Sequence, residues 1–313
     1  MAYATLPQLD RPFLTDAGLE TDLIFNRGID LPHFASVTLL ASEDGKRALA
    51  DYFRGFLDLA ARMGRGLVLE SATWRAGPDW AEALGQSVEG LDRLNREAIA
   101  LLLALRDEYR GAIPDIVVSG CLGPRGDGYD PGRIMAPEEA EAYHLHQAKV
   151  LREAGADMLS AITMTNVPEA IGIARAAKSL GAPVAISFTV ETDGRLPTGD
   201  ALADAVAAVD EASGAAPAYY MINCAHPSHF EQALEVGAAW TARIGGVRAN
   251  ASRCSHAELD AMTELDIGDP TELAAMHRAL RGRFPGINVL GGCCGTDLRH
   301  VTLIAEACLP AAG

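Results

Sequence analysis

The sequence of 313 residues predicts an α/β protein, a single-domain (β/α)8 TIM barrel. Short runs of Val, Ile and Leu alternate with longer amphipathic segments along the chain, which is typical of βα units around a parallel sheet. Eight such pairs fit this length, and no Gly-x-Gly-x-x-Gly follows a strand, as the rival doubly wound sheet would favour. The predicted strands are Pro12–Asp16, Gly66–Glu70, Asp115–Gly120, Asp157–Ile162, Pro183–Thr189, Ala218–Asn223, Arg243–Ala249 and Gly286–Gly291.

Helical segments separate these strands, and their ends carry recognisable signals. Glycine follows several of them, as expected at a helix C-terminus, and a proline opens others. The predicted helices are Glu43–Met63, Leu91–Arg110, Pro137–Ala154, Pro168–Leu180, Asp200–Ala212, Ser228–Glu235, Pro270–Arg281 and a last helix that Thr296 or Asp297 caps and that ends near Cys308. No Pro- or Ser-rich linker divides the chain, so one domain over residues 1–313 is predicted.

Composition excludes several classes of partner. The net charge is −16 and no Lys/Arg cluster occurs, which argues against nucleic acid and against an anionic membrane surface. The N-terminus has no signal-peptide pattern, and no apolar run reaches the ~20 residues of a membrane-spanning helix. We therefore expect a cytoplasmic enzyme that acts on small molecules. The sequence makes no prediction of the oligomeric state.

Four of the six cysteines follow predicted strands, and three of these four belong to strands six and eight. Cys224 follows strand six, and Cys293 and Cys294 follow strand eight. Active sites of such barrels lie at the C-terminal ends of the strands, so these sulfurs converge on one rim. Three thiolates that leave one position open form a catalytic zinc arrangement, and Zn²⁺ is the predicted cofactor.

Some alternatives stay open at this point. Cys121, at the end of strand three, is a candidate fourth ligand, and His226 is a candidate replacement ligand. A disulfide between the adjacent Cys293 and Cys294 is a further alternative, although a reducing compartment disfavours it.

Other polar side chains end strands at the same rim. Asp16 ends strand one and Glu70 ends strand two, with Trp74 shortly after it. Two carboxylates near a thiolate site fit a ligand that carries an ammonium group, and Trp74 is a candidate pocket residue. A carboxylate at a strand end also caps turns, so these assignments are weaker than that of the cysteines.

The string Gly-Gly-Cys-Cys-Gly-Thr at 291–296, with Asn223-Cys224, resembles the homocysteine S-methyltransferase family. Further similar segments are Leu14–Thr21, Ser71–Ala76, Ser119–Pro124 and Ser187–Thr189, so the resemblance covers nearly the whole chain. It implies that Cys224, Cys293 and Cys294 hold zinc, and that Asp16 lies in the substrate pocket. Thr163 and Asn223, at the ends of strands four and six, are further candidate substrate-binding residues.

One position departs from the family pattern. The family has Glu-Thr after strand four, where the glutamate holds the ammonium group of the acceptor; this chain has Ile162-Thr163. Our hypothesis is that Glu70 makes that contact instead. The alternative is that the acceptor is a thiol other than homocysteine.

The predicted reaction is transfer of a methyl group from a sulfonium or betaine-type donor to the thiol of homocysteine, giving methionine. Free alkyl thiols have a pKa near ~8.5, and zinc favours the thiolate, which is the nucleophile. No further acid or base residue is required. Two other hypotheses are a zinc hydrolase or lyase, which His and carboxylate ligands would favour, and a non-catalytic zinc- or redox-sensing barrel.

Overall fold

A computed structural model describes residues 6–309 as a closed barrel of eight parallel strands. Each strand pairs with its neighbours in chain order, and β8 returns to β1, so that no sheet edge is left unpaired. The fold prediction is confirmed. The strands are β1 (Phe13–Leu14), β2 (Gly66–Glu70), β3 (Ile116–Leu122), β4 (Met158–Met164), β5 (Val184–Phe188), β6 (Tyr219–Asn223), β7 (Ile244–Ala249) and β8 (Val289–Gly292).

Helices surround this barrel and cover its outer face. The α-helices are α1 (Leu19–Thr21), α2 (Glu43–Met63), α3 (Trp80–Ala83), α4 (Val88–Glu108), α5 (Pro137–Glu153), α6 (Val167–Ser179), α7 (Leu202–Ser213), α8 (Pro227–Phe230), α9 (His256–Asp260), α10 (Pro270–Arg283) and α11 (Leu298–Cys308). Short 3-10 turns span Pro7–Leu9, Pro32–Phe34, Ser36–Ala41 and Thr241–Arg243, and a π-turn spans Asp22–Asn26. None of the helices in residues 6–309 is both long and apolar enough to cross a membrane.

Local signals explain where the long helices begin and end, within three residues of the predicted bounds. Helix α2 has the predicted bounds: the Ser42 side chain accepts a hydrogen bond from the backbone N–H of Gly45, and Gly64 ends the helix at φ 60°. Asp297 caps α11 by accepting from the backbone N–H of Arg299, which decides between the two predicted caps.

The predicted helix Ser228–Glu235 is wrong in its start and its length. Helix α8 has only four residues, and the cap is the His226 side chain, which accepts from the backbone N–H of Ser228. Pro227 at the first helical position has no N–H to satisfy, so a histidine cap suffices here. The domain assignment over residues 1–313 stays a prediction, because it extends beyond the described residues.

The hydrophobic core has two parts. The larger part lies between the strands and the helices. The smaller part fills the inside of the barrel with side chains such as Phe13, Val117, Met158 and Met221. The interior is therefore a packed core rather than a channel, and the chemistry is restricted to the rim where the strands end.

Candidate metal centre and acceptor pocket

Three cysteine sulfurs meet at the carboxyl end of the barrel. The donor atoms of Cys224, Cys293 and Cys294 all lie within 4.8 Å of one another. The Sγ atoms of Cys224 and Cys294 are 3.9 Å apart, and those of Cys224 and Cys293 are joined as a disulfide. The pairing differs from the predicted alternative, in which Cys293 would bond to Cys294, and Cys294 has a free thiol.

The backbone is unusual where it delivers these sulfurs. Cys224 adopts φ 52° and Gly295, just after the cysteine pair, adopts φ 78°. A left-handed conformation is uncommon for a residue other than glycine, and such strain concentrates at functional sites. Gly291 serves close packing instead, because a Cβ there would lie 2.6 Å from the backbone oxygen of Asp16. The glycines therefore bring strands β8 and β1 together as well as turning the chain.

Two polar side chains contact sulfur atoms of the cluster. The Asn223 amide donates to Thr163 Oγ1 at 2.8 Å and lies 3.8 Å from Cys293 Sγ. Thr163 Oγ1 lies 3.9 Å from Cys224 Sγ, and Thr163 itself adopts φ 66°, a rare conformation for a β-branched residue. These two predicted pocket residues therefore contact the cysteine cluster directly.

A cavity of about 430 Å³ opens beside the cluster. Its lining includes all three cysteines and the predicted residues Asp16, Glu70, Trp74 and Thr163. Asn223 lies behind this lining. Carboxyl groups outnumber guanidinium groups among the lining residues, which favours cationic ligands at the cavity mouth.

An ion pair forms part of the cavity floor. Arg248 Nη2 donates to Asp16 Oδ1 at 2.6 Å, and both side chains are more than nine-tenths buried. Asp16 also accepts from Thr15 Oγ1 at 2.9 Å and from the Tyr52 hydroxyl at 3.2 Å. Burial opposes a charged guanidinium, but the carboxylates of Asp16 and then Glu70 more than offset it, so the pKa of Arg248 is raised. Arg248 therefore stays cationic.

Glu70 belongs to the same floor, and only one of its two carboxylate oxygens has a hydrogen-bond partner. Its Oε1 accepts from Ser160 Oγ at 2.9 Å, whereas its buried Oε2 has no hydrogen-bond partner in the described chain. Burial is the main cause that raises the pKa of Glu70 to about 7, although Arg248 opposes the shift. Burying Oε2 without a hydrogen-bond partner costs free energy, and a cationic ligand that donates to this atom would offset that cost.

Aromatic groups line the outer wall. The Trp74 indole N–H donates to the backbone oxygen of Ile162 at 3.0 Å, which fixes the ring beside the cavity. The Tyr129 hydroxyl lies 3.6 Å from Cys294 Sγ, and its ring stacks on His256 with centroids 4.0 Å apart. His256 in turn hydrogen-bonds the backbone oxygen of Cys224 at 2.7 Å. The wall thus reaches both ends of the cysteine cluster.

Cys121 and His226 do not join the metal-ligand group found among residues 6–309. Cys121 is buried on β3, and burial raises the pKa of its thiol well above the usual value. The His226 ring is held by Ser228 Oγ at 2.8 Å, and burial lowers its pKa to about 4. Neither alternative ligand is supported by this geometry.

The sequence reasoning missed Arg248, Tyr129 and His256. A signal for Arg248 was present, because an arginine inside the apolar strand β7 must find a buried partner. Tyr129 lies in a glycine-rich loop and His256 begins a short helix, and neither position has a sequence pattern that points to the rim.

The cysteine cluster fits a zinc ion in its donor chemistry. Zinc takes thiolate ligands at about 2.3 Å, and a tetrahedral site then separates neighbouring sulfurs by roughly 3.8 Å. The 3.9 Å between Cys224 and Cys294 agrees with this separation. Metal binding also requires the Cys224–Cys293 pair in its reduced form, because the ligand is the thiolate.

A parallel barrel whose rim joins three cysteines to a charged cavity offers an enzyme site that could hold a metal ion. The chain belongs to the homocysteine S-methyltransferase family, whose model matches residues 13–308. It is therefore a methyltransferase, as the sequence predicted.

Curated relatives agree with this assignment. The chain is 25% identical over 273 residues to homocysteine S-methyltransferase YbgG of Bacillus subtilis, covering 83% of this chain and 82% of that protein. It is 24% identical over 308 residues to a selenocysteine Se-methyltransferase of Brassica oleracea, covering 90% and 85%.

Solved structures agree in fold. The homocysteine methyltransferase MmuM from Escherichia coli superposes in its oxidized form with a TM-score of 0.75 at 22% identity, over 94% of this chain and 95% of that one. Its metallated form gives 0.72 at 21% identity with the same coverage.

Proposed function

We propose that this protein is a zinc-dependent S-methyltransferase that moves a methyl group from a sulfonium or betaine-type donor to the thiol of homocysteine, giving methionine. The observation that carries the proposal is the convergence of Cys224, Cys293 and Cys294 on a cavity that also contains Glu70. The three sulfurs would hold zinc, and zinc would supply a stabilised acceptor thiolate at neutral pH.

The chain's own residues prepare this cluster. Asn223 and Thr163 contact the sulfurs, as outer partners of metal ligands do, and restrict where the sulfurs can lie. His256 and Asn250 hydrogen-bond the backbone oxygen of Cys224, which fixes its strained peptide. In this proposal Asn223 and Thr163 act on the ligands rather than on the acceptor's polar end.

The acceptor's ammonium group is assigned to Glu70, because Ile162 occupies the family glutamate position and offers no charge. Glu70 lines the cavity, and its Oε2 has no hydrogen-bond partner in the described chain. Asp16, in contrast, already accepts three side-chain hydrogen bonds and contributes negative charge rather than a free oxygen.

The donor is assigned to the outer part of the cavity, whose lining includes Trp74, Asp127 and Asp260. The guanidinium of Arg75 already lies over the Trp74 ring and pairs with Asp127, so Asp260 is the carboxylate assigned to the donor cation. An indole face and nearby carboxylates both stabilise a cation such as a sulfonium or a quaternary ammonium. As the new S–CH₃ bond forms, the donor's bond to the same methyl breaks, and the electron pair stays on the donor heteroatom, which becomes neutral. The thiol proton is released to solvent. The rate acceleration comes from the alignment of the acceptor sulfur with the donor's methyl group.

A methylation screen tests the proposal. Reduced, zinc-loaded protein is incubated with S-methylmethionine, S-adenosylmethionine or glycine betaine against homocysteine and other small thiols, and methylated products are measured by mass spectrometry. We expect methionine from at least one donor and none from the Cys294→Ala variant.

Two other outcomes would contradict the proposal in different ways. Methylation of another thiol but not of homocysteine would favour the alternative acceptor that Ile162 suggests. Binding of one zinc with no methyl transfer from any donor would favour the sensor hypothesis.

A further inference from the structure

The floor of the acceptor pocket contains a guanidinium group that the reaction proposed above does not use. Arg248 is 7% exposed, lines the cavity and remains charged. A buried arginine whose only task was to neutralise one aspartate would be costly to retain, because desolvation offsets most of the attraction in such a pair. The arrangement of its nitrogens indicates a second partner.

The hydrogen bonds of Arg248 occupy one side of the guanidinium. Nη2 donates to Asp16 and to the backbone oxygen of Ala17, and Nε donates to the backbone oxygen of Gly292 at 3.2 Å. Nη1 has no hydrogen-bond partner in the part of the chain that the structure describes. The group is therefore fixed in orientation by three contacts and still offers N–H donors to a ligand.

Strand register places this free group beside the metal ligands. Arg248 pairs with Asn223 on β6, the residue before Cys224, and with Gly291 on β8, two residues before Cys293. The cysteines follow β6 and β8, and Arg248 lies on β7 between them. The guanidinium is therefore a neighbour of any ligand sulfur bound at the cysteine cluster. A carboxylate a few bonds from that sulfur would come within reach of it.

Glu70 supplies the complementary charge on the same floor. It is 6% exposed, its Oε2 has no partner, and its carboxylate and the guanidinium of Arg248 interact electrostatically. The free acceptor atom belongs to a buried carboxylate and the free donor atom to a buried guanidinium, and the two opposite charges match the two charged groups of an α-amino acid.

We propose that Arg248 is a specificity-determining residue of the acceptor pocket: it takes the acceptor's carboxylate through Nη1 while Glu70 takes the ammonium group. Asp16 then serves as the fixed counter-ion of Arg248 rather than as a ligand of the amine. The substrate class is a thiol amino acid in its zwitterionic form. This inference rests on the proposed function, since it assumes that the acceptor sulfur lies at the cysteine cluster.

Acceptor analogues that lack one charged group test the assignment. The acceptors are homocysteine, 3-mercaptopropan-1-amine, which lacks the carboxylate, and 4-mercaptobutanoate, which lacks the amine. For the native protein we expect kcat/KM to fall about 10- to 100-fold with either analogue, as loss of a charged hydrogen bond requires.

Variants then separate the two contacts. In Arg248→Met the preference for homocysteine over 3-mercaptopropan-1-amine should shrink to within about threefold, while the preference over 4-mercaptobutanoate persists. Glu70→Gln should show the reverse pattern. Equal losses toward all three acceptors in Arg248→Met would show a merely structural arginine and overturn the proposal.

Arg248→Met leaves Asp16 without its counter-ion, so two further variants guard against misfolding. Asp16→Asn combined with Arg248→Met removes both charges together and should show the same loss of discrimination. Arg248→Lys keeps the charge but not the planar fork, and should retain an intermediate preference for the carboxylate. An Arg248→Lys variant that discriminates against 3-mercaptopropan-1-amine no better than Arg248→Met does would also overturn the proposal.

A binding measurement separates failure of this inference from failure of the proposed function. Methionine, 3-(methylthio)propan-1-amine and 4-(methylthio)butanoate are titrated calorimetrically into reduced protein, with no methyl donor and no thiol present. We expect methionine to bind about 10- to 100-fold more tightly than either analogue, with the carboxylate preference lost in Arg248→Met. If no thiol is methylated but this pattern holds, the proposed function fails and the arginine assignment stands; equal affinities would overturn the assignment even in an active enzyme.

Discussion

The two sides of the cavity use opposite kinds of chemistry. The metal side, carried by β6 and β8, consists of soft sulfur atoms that strained backbone and weak side-chain contacts hold together. The acceptor side, carried by β1, β2 and β7, consists of buried full charges, of which Asp16 and Arg248 compensate each other and Glu70 remains partly unsatisfied. In the proposed function the metal side would hold the metal ion, and the acceptor side would select the charge pattern of a small molecule. A substitution on the metal side should therefore leave the affinity for the amino acid largely unchanged, and a substitution on the acceptor side should leave the zinc content unchanged.

The largest expected effect comes from removing a sulfur. Cys294→Ala should reduce zinc content measured by inductively coupled plasma mass spectrometry, and should lower kcat/KM by more than the roughly 100-fold that loss of an outer partner of a ligand costs. Calorimetric affinity for methionine should change much less, because the charged floor is intact.

The matched control is Cys308→Ala, a buried cysteine on α11 outside the metal-ligand group. It should keep full zinc content and activity. Full metal occupancy in Cys294→Ala, with normal turnover, would remove the basis of the metal side altogether.

The next effect tests the acceptor side through the position where this chain departs from its family. Glu70→Gln should raise KM for homocysteine about 10- to 100-fold with little change in zinc content, since one charged hydrogen bond is lost. Adding Ile162→Glu to that variant should recover part of the affinity, because residues 162 and 160 share a face of β4, and Ser160 contacts Glu70.

Steady-state kinetics of both variants provide the check. An unchanged KM in Glu70→Gln would refute the assignment of the ammonium group. No recovery in the double variant, with the zinc content unaltered, would mean that residue 162 cannot reach the amine from strand β4.

A smaller effect follows from the protonation of Glu70. Burial raises its pKa to about 7, while Arg248 and the hydrogen bond from Ser160 oppose the shift and Asp16 reinforces it. The ammonium group needs the ionised form, which is lost as pH falls through about 7. The dissociation constant of methionine should therefore rise about 10-fold from pH 8 to pH 6.

Methionine has no thiol, so calorimetry with this ligand avoids the ionisation of the acceptor sulfur. Glu70→Gln should bind methionine weakly and with a flat pH profile over the same range. The same slope in this variant would assign the titration to another group.

The same contrast explains what could be predicted from the sequence. The three cysteines follow strands β6 and β8 in contiguous motifs, so a strand assignment and the barrel geometry suffice to bring them together. Glu70 could be proposed from its place at the end of a strand, whereas the role of Arg248 depends on which of its nitrogen atoms remain unpaired after folding. Hydrophobic periodicity also determines the long elements, whereas α8 depends on a histidine cap that propensity does not reveal.

The smallest expected effect concerns Tyr129, which lies on the outer wall and contacts the metal side. Its hydroxyl is 3.6 Å from Cys294 Sγ, beyond a strong hydrogen bond, while its ring is held by stacking on His256. Tyr129→Phe keeps the stacking and removes only the hydroxyl, so zinc content should be unchanged and kcat should fall less than about 10-fold, the lower end for an outer contact of a metal ligand. Metal analysis and kinetics of Tyr129→Phe, with Tyr143→Phe as a control on helix α5, measure this. Loss of zinc comparable to that in Cys294→Ala would make Tyr129 itself a ligand, and the metal side would then extend across the cavity onto the loop after β3.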